Sequence, residues 1–272
     1  MCEESGMKIA TITLKTVPTL YLEADCITPD SFAGKSKDEV LSLPVYEGRE
    51  CYKLGDFFEI AGEIGEKPEE TKIVVNGDCS KVKYIGAKMS AGEVIVNSSA
   101  DMYTGAWMRG GKLTIKGNVD SFSGLGMENG EFIVEGDGMN YIGASYRGDW
   151  RGMQGGVLRV KGNVGSDIGT FMNGGTLIVE GDADVHIGTH QEGGTIIIKG
   201  DVNRRVGGQM VKGTIYIFGN MNYMMPGFKY TQDVELEVDG YKGTFAEYIG
   251  DLGERHSKSK GQVVYGKLYR KK

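Results

Sequence analysis

The chain has 272 residues, of which 44 are glycine, and carries a formal net charge of −6. The negative charge gives no support for nucleic-acid binding, and no apolar run is long enough to cross a bilayer as a helix. The opening segment, Met1–Glu4, is acidic where a signal peptide would be basic, so the sequence predicts a cytoplasmic protein that contacts neither nucleic acid nor membrane.

Residues 1–70 contain no internal repeat and are predicted to form an N-terminal capping region. The repeats that follow predict a solenoid, and a solenoid needs caps because its ends expose unpaired strand edges. Ser36 is the expected N-cap of a short helix that stops at Pro44. The predicted elements are strands over residues 7–14, 20–24 and 57–61 and a helix over residues 37–42.

Residues 71–227 are dominated by a thirteen-residue pattern that occurs seven times. A typical copy has Gly at its first, seventh and last positions, Met at the fourth, and two apolar residues two apart before the last Gly. Gln191 replaces Met in one copy, Trp150 replaces the first Gly in another, and Ser98 replaces the last Gly in a third. The copies cover residues 86–98, 105–117, 124–136, 150–162, 169–181, 188–200 and 207–219.

The last positions of successive copies are 19 residues apart, except for the 26 residues from Gly136 to Gly162. Apolar residues two apart lie on one face of a strand, and the Gly-Asp and Gly-Asn pairs that follow are typical of turns. Each unit therefore has about three short legs, which bury their apolar sides only when units stack. The sequence predicts an all-β fold: a parallel β-helix of about seven coils. Leucine-rich repeats, left-handed hexapeptide helices and β-propellers fit the composition or the period less well.

Seven extra residues interrupt the repeat between Gly143 and Trp150. Insertions in solenoids become surface loops, often on the binding face, and Trp, Tyr and Arg are enriched at interface hot spots. Two interpretations stay open: a loop that packs only on its own coil, or a docking loop for a partner subunit. The residues of the predicted docking loop are Tyr146, Arg147, Asp149, Trp150 and Arg151.

Residues 228–272 are predicted to form a C-terminal cap and a basic tail. Strands are expected over residues 234–238 and 263–269, and one helical turn over residues 244–249. Residues 253–272 hold seven basic residues and one acidic residue. The tail fits either an acidic partner face or a solvated terminus.

No residue is predicted to be catalytic, to bind a cofactor or to bind a metal. The repeated Met is expected in the core, where its flexible side chain fills gaps. Asp137, Asp182 and Asp201 occupy one repeated corner and are explained as turn residues. His186 and His190 have a four-residue spacing, which makes a metal pair only on a helix.

The seven copies with Met at the fourth position, together with the opening Met7-Lys8-Ile9, resemble the C subunit of formylmethanofuran dehydrogenase. The resemblance implies a right-handed β-helix in a non-catalytic subunit of a complex that reduces CO2 and attaches the formyl group to methanofuran, the first step of methanogenesis from CO2. It implies that the tungsten or molybdenum pterin, the iron–sulfur clusters and a binuclear metal site of an amidohydrolase-like subunit all lie on partner subunits. The C-terminal domain of the glutamate synthase large subunit is a weaker match, and a carbohydrate-active β-helix enzyme is a further alternative.

Overall fold

The structure, a computed structural model, describes residues 6–254 and 263–272. It consists mainly of strands, 43% of residues against 6% in helices. The short helices are α1 (Pro29–Phe32), α2 (Lys37–Leu41) and α3 (Leu54–Phe57), with a 3-10 turn over Pro68–Glu70. The strands are β1 (Lys8–Leu14), β2 (Leu22–Glu23), β3 (Pro44–Glu47), β4 (Glu50–Lys53), β5 (Phe58–Gly62), β6 (Thr71–Asn76), β7 (Val82–Lys83), β8 (Glu93–Val96), β9 (Lys112–Ile115), β10 (Glu131–Val134), β11 (Gln154–Val160), β12 (Gly174–Val179), β13 (Ala183–Val185), β14 (Glu192–Ile198), β15 (Val202–Arg204), β16 (Lys212–Ile217), β17 (Lys229–Val238), β18 (Tyr241–Glu254) and β19 (Val264–Lys271).

One large mixed sheet runs the length of the molecule. Its parallel part has the order β1, β6, β8, β9, β10, β11, β12, β14, β16 and β19. The register joins equivalent repeat positions, so that Leu177 lies opposite Ile196 and Ile196 opposite Ile215. The 19-residue period is therefore the spacing from one strand of the sheet to the next.

Two further ladders of backbone hydrogen bonds join the same repeat units. Parallel bridges link Ala100 to Val119 and Val119 to Gly138, and strands β13 and β15 continue this ladder. In the third ladder, the first glycine of a unit donates to the previous unit, as from Gly188 N to Ile168 O at 2.9 Å. Each unit thus has three legs, and each leg pairs with the same leg of its neighbours.

The repeated methionines line the core, as the sequence predicts. Met89, Met108, Met127, Met153, Met172 and Met210 are all fully buried. The methyl group of such a methionine lies against the seventh-position glycine of the next unit, where a Cβ on Gly111 would be 2.7 Å from Cε of Met89. Gln191, the exception, is also fully buried, and its Nε2 donates to the carbonyl groups of Gly193 and Gly194.

The glycine that ends each copy is needed for close packing between units. The Gly-Asp and Gly-Asn pairs had suggested that it is needed for a turn conformation. The seventh-position glycines have positive φ, such as +76° at Gly175, whereas Gly181 and Gly200 do not. A Cβ on Gly200 would lie 2.5 Å from the carbonyl carbon of Gly181. Close approach of neighbouring units, rather than turn conformation, therefore fixes this glycine. At the one exception, the Ser98 hydroxyl accepts the N–H of Cys79 at 3.1 Å.

The N-terminal segment both begins the large sheet and covers its edge. The predicted strand at residues 7–14 is β1, which pairs in parallel with β6, and β5 closes this edge in antiparallel orientation. The predicted helix is α2, and Ser36 and Glu39 form a capping box at its start. A second, small sheet with the order β4, β3, β2, β7 lies beside the first repeat.

The predicted helical turn at residues 244–249 is wrong, because these residues lie inside β18. Strands β17 and β18 form a hairpin, which turns at Asp239 and Gly240, both with positive φ. Apolar residues of the hairpin cover the outward side chains of Ile178 and Ile197, which are only 4% and 5% exposed. The hairpin therefore covers this part of the outer face of the sheet.

An ion-pair network anchors the tip of the β17–β18 hairpin to the sheet. Asp239 accepts from Nη2 of Arg159 at 2.7 Å and from Nζ of Lys199 at 2.6 Å, and Glu180 pairs with both cations. The hydrogen bond from Arg159 is the main cause that lowers the pKa of Asp239 to about 2.

We expect Asp239→Asn to release the hairpin tip and to lower the free energy of unfolding by about 1–2 kcal/mol, because two partly buried cations lose a shared carboxylate. Since the folded pKa lies below the ordinary value, the contribution of Asp239 is present above pH ~4 and is lost as the pH falls toward 2. Hydrogen exchange of the β17 and β18 amides measures the release. Glu237→Gln, an exposed neutralisation on β17, is the control, and equal effects of the two variants would contradict the role of the network.

Candidate docking surface

A column of residues in the left-handed conformation marks one edge of the repeats. Two residues before the first glycine of successive units, φ lies between 60° and 65° at Tyr84, Tyr103, Phe122, Tyr141, Asp167, His186 and Arg205. Non-glycine residues adopt this conformation at a cost of ~1 kcal/mol or more each. The repeated backbone hydrogen bonds of the three ladders impose it in every unit.

The first four members form a stack of aromatic rings, which we call the aromatic column (Tyr84, Tyr103, Phe122 and Tyr141). Neighbouring centroids are 4.7–5.3 Å apart and the ring planes differ by only 6–12°. Phe122 of the column also forms a buried apolar cluster with Leu125 and Ala106, outside the main core. Aromatic side chains therefore gather at this edge of the repeats.

The last three members of the series are polar and bond to one another. The Nδ1 of His186 lies 3.4 Å from the Asp167 carboxylate, and its Nε2 lies 3.0 Å from Nη1 of Arg205. His190, by contrast, stacks on Phe171 with centroids 4.7 Å apart. Within residues 6–254 and 263–272, no group of three or more His, Cys, Asp or Glu side chains is placed to hold a metal ion. His256 lies outside the described residues.

The corner carboxylates and amides form a ladder between units. Asp137 N donates to Asn118 Oδ1 at 2.9 Å, and the same bond recurs at every later corner. The sequence interpretation assigned these side chains to their own turns, and this is corrected: each one accepts from the backbone of the next unit. A side chain engaged in this way stabilises the stack.

The insertion begins later than the sequence analysis placed it. Gly143 has φ +65° and donates to Ser123 O, as first-position glycines do, so Gly143 occupies that position and Trp150 does not. Ser145 N donates to Thr170 O, which keeps the frame of the repeat. The extra residues are therefore 146–152, between the third and fourth positions of the fourth copy.

The five residues of the predicted docking loop lie together on the surface beside the aromatic column. The Tyr146 ring is 6.5 Å from that of Tyr103. Arg151 forms a two-pronged ion pair with Asp149, at 3.0 and 3.1 Å, and this pair lowers the pKa of Asp149. Trp150 is 62% exposed and Tyr146 49% exposed, and Arg147 is exposed too.

One cavity adjoins the aromatic column, and a second cavity shares Lys88 and Trp107 with the first. One has a volume of about 320 Å³ and lies between Tyr84 and the small sheet, with Glu23 and Tyr46 on its wall. The other, of about 390 Å³, is lined by Lys88, Trp107, Arg109 and Glu128. The loop reaches the column through Tyr146 and Tyr103. We call the column, the two cavities and the loop together the docking surface.

Comparison with known proteins finds relatives among the C subunits of formylmethanofuran dehydrogenases. No family model matches the chain. The chain is 47% identical over 142 residues to the C subunit of the tungsten-containing formylmethanofuran dehydrogenase 2 of Methanococcus maripaludis. The aligned residues cover 52% of this chain and 51% of that protein. It is 47% identical over 91 residues to the corresponding protein of Methanothermobacter wolfeii, and 44% identical over 101 residues to the C subunit of the molybdenum-containing formylmethanofuran dehydrogenase 1 of Methanosarcina barkeri, in both cases about a third of each chain. The chain is a homologue of the C subunit of formylmethanofuran dehydrogenase.

The aligned segments span only a third to a half of these relatives. Among solved structures, the chain is similar to a chain of the formyltransferase/hydrolase complex of Methylorubrum extorquens in complex with methylofuran, with a TM-score of 0.83. That match covers 96% of this chain and 99% of the other at 24% identity, and it therefore supports the fold alone. The described helices include none that is long and apolar enough to cross a membrane.

The aromatic column was not among the predictions from the sequence, although the sequence carries a signal for it. Tyr84, Tyr103, Phe122 and Tyr141 are each 19 residues apart. Aromatic residues at the repeat period predict stacked rings as soon as the repeat units themselves are known to stack.

Proposed function

We propose that this chain is the structural C subunit of a formylmethanofuran dehydrogenase complex and contributes no catalytic residue of its own. The similarity to the C subunits of tungsten- and molybdenum-containing enzymes carries the proposal. The proposed absence of a catalytic role is supported by the repeated polar side chains of the corner ladder, which form hydrogen bonds with neighbouring units. The complex would reduce CO2 with low-potential electrons and attach the formyl group to methanofuran.

The fold proposed for this role is a right-handed parallel β-helix, with an N-terminal cap within residues 1–70, a repeat region over 71–227 and a C-terminal cap over 228–272. Three parallel ladders joined by tight corners support the helix. Right-handedness is supported by the general rule that crossovers between parallel strands are right-handed in about 98% of cases. Strand β1 already pairs in the parallel ladder, so the N-terminal segment supplies a strand as well as a cover.

The partners proposed are the pterin-containing, iron–sulfur and amidohydrolase-like subunits, which would hold the tungsten or molybdenum pterin, the clusters and the binuclear metal site. The docking loop would lie at one of these contacts. Its exposed Trp150 and Tyr146 and its Asp149–Arg151 ion pair have the composition of an interface hot spot. The part of the basic tail at residues 255–262 lies outside the described residues and is not assigned a contact.

Purification of the full-length tagged chain from its native host tests the proposal. We expect the chain to bring with it a pterin-containing subunit and an amidohydrolase-like subunit, identified by mass spectrometry, together with formylmethanofuran dehydrogenase activity. A chain that elutes alone and degrades polysaccharide would instead be a carbohydrate-active enzyme.

Trp150→Ala tests the docking loop. Because the Trp150 ring is largely exposed and contacts the Arg151 guanidinium within its own loop, its removal costs the isolated chain less than ~0.5 kcal/mol. An interface anchor, by contrast, contributes ~2 kcal/mol or more to binding. We therefore expect a loss of subunit retention with an unchanged melting temperature of the free chain. If both decrease to the same extent, the loop packs only locally.

A further inference from the structure

The smaller of the two cavities is lined by three aromatic rings, two carboxylates, Ala87 and the side chain of Lys88. Tyr46 comes from β3, Tyr84 begins the aromatic column, and Trp107 comes from the next repeat unit, while Glu23 and Asp25 come from the end of β2 and the residues after it. Its volume of about 320 Å³ is at the small end of the range for ligand pockets. A single side chain or a small molecule is the size of occupant that it accepts.

The aromatic column stops at this cavity. Tyr84 is its first ring, and Tyr103 covers one face of it at 4.9 Å with the planes 7° apart. Among the described residues no ring stacks on the other face, and Tyr84 lines the cavity whereas Tyr103 does not. A flat group seated on the open face of Tyr84 would continue a stack whose spacing is already 4.7–5.3 Å.

The charge around the cavity is unbalanced toward negative. Glu23 and Asp25 form no ion pair with any residue that the structure describes. The Lys88 ammonium group, which also belongs to the cavity lining, lies 5.7 Å from the centroid of the Trp107 ring. The lining therefore carries two carboxylates and one ammonium group, and one further monovalent cation would complete the balance.

Both carboxylates are close to the open ring. Burial is the main cause that raises the pKa of Tyr84 to about 12, and the negative charges of Glu23 and Asp25 add to it. An occupant that stacks on Tyr84 therefore lies within reach of the two carboxylates. Stacking and carboxylate pairing at one place are the two contacts that a guanidinium group makes, whereas an ammonium group is compact and lacks a flat face.

We propose that this cavity binds the guanidinium group of an arginine side chain from a partner polypeptide. The group stacks on the open face of Tyr84 and donates its paired N–H groups to Glu23 or Asp25. A polypeptide fits better than a free small molecule because Tyr103, which stacks on Tyr84, is also 6.5 Å from the exposed Tyr146 ring of the loop. The proposal rests on the proposed function in one respect, that the partner is a subunit of the complex.

The chain has two tryptophans, so a Trp150→Phe variant leaves Trp107 as a fluorescent reporter of the cavity. The probes are N-acetyl-arginine N-methylamide and the matching citrulline and lysine compounds. We expect a saturable change of Trp107 fluorescence with the arginine compound, weaker binding of the lysine compound, and no saturation with citrulline, which has the same shape without the charge. An equal response to citrulline would overturn the proposal.

A paired neutralisation isolates the carboxylates. Glu23→Gln with Asp25→Asn, both exposed positions, should weaken binding of the arginine compound about tenfold or more. Glu66→Gln with Glu69→Gln, two carboxylates remote from the cavity in sequence, should leave it unchanged. Equal affinities of the two double variants would overturn the assignment.

The same variants identify the source of the arginine. In the complex, the Glu23/Asp25 double variant should lose subunit retention relative to the Glu66/Glu69 double variant. Retention that is unchanged, or a concentration-dependent dimer of the isolated chain that only the Glu23/Asp25 variant loses, would overturn the assignment to a partner subunit. If no dehydrogenase subunit is retained by the unmodified chain, the proposed function fails, while the titration with the arginine compound still decides the chemistry of the cavity.

Discussion

Replacing Ile198 by Asp is expected to lower the free energy of unfolding by about 4 kcal/mol or more. Ile198 is fully buried and lies between Val179 and Ile217 in the register of the parallel sheet. A carboxylate at this position would lose its hydration and gain no partner, because the side chains around it in the ladder are apolar. The thermal midpoint and a urea titration measure the loss.

The stacked arrangement adds a second readout to this experiment. In a stack each unit contacts mainly its neighbours, so damage in one unit separates the units on either side of it. We therefore expect amide protection to fall most in β12, β14 and β16. Ile198→Val should cost only about 1 kcal/mol, and Val157→Asp, at a position that is 39% exposed in β11, should cost less than ~1 kcal/mol. If Ile198→Asp melts like Val157→Asp, the Ile198 side chain does not face the core.

The repeat made most of the fold predictable from the sequence, because one period constrains many residues at once. A single 19-residue unit predicts the strand, the core methionine and the corner, and the structure places these features at equivalent positions along the stack. The segments outside the period depend on local signals. The Asp239–Gly240 pair between alternating apolar residues was such a signal for a hairpin. The prediction of a helical turn at residues 244–249 did not take this signal into account.

The docking surface was predictable only in part, for a physical reason. The insertion disturbs the period, so its composition pointed directly to a loop with Tyr146 and Trp150. The cavity at Glu23 and Tyr46, by contrast, joins the small sheet to the repeat through the pairing of β2 with β7. This contact pairs Leu22 with Val82, two residues far apart in the chain, and no periodicity in the sequence carries it.

The second large effect is expected at the glycine that ends each copy. In Gly200→Ala the new Cβ would lie 2.2 Å from Asp182 Oδ1 and 2.5 Å from the carbonyl carbon and oxygen of Gly181. The carboxylate is able to rotate away, but the backbone of Gly181 moves only if two neighbouring units separate. Separation would also break the bond from Asp201 N to Asp182 Oδ1, 2.7 Å long. We expect a loss of about 2–4 kcal/mol in the free energy of unfolding.

Gly208→Ala is the matched control, since it adds the same methyl group one unit away. Its Cβ would have no neighbour closer than 4.0 Å, φ is not positive there, and the equivalent position in other units is already Ala87, Ala106 and Ala144. We expect a change within about 0.5 kcal/mol. Chemical denaturation of the two variants side by side therefore separates close packing between units from the general effect of replacing glycine. Equal stabilities would mean that the units are not held at the contact distance on which the corner ladder depends.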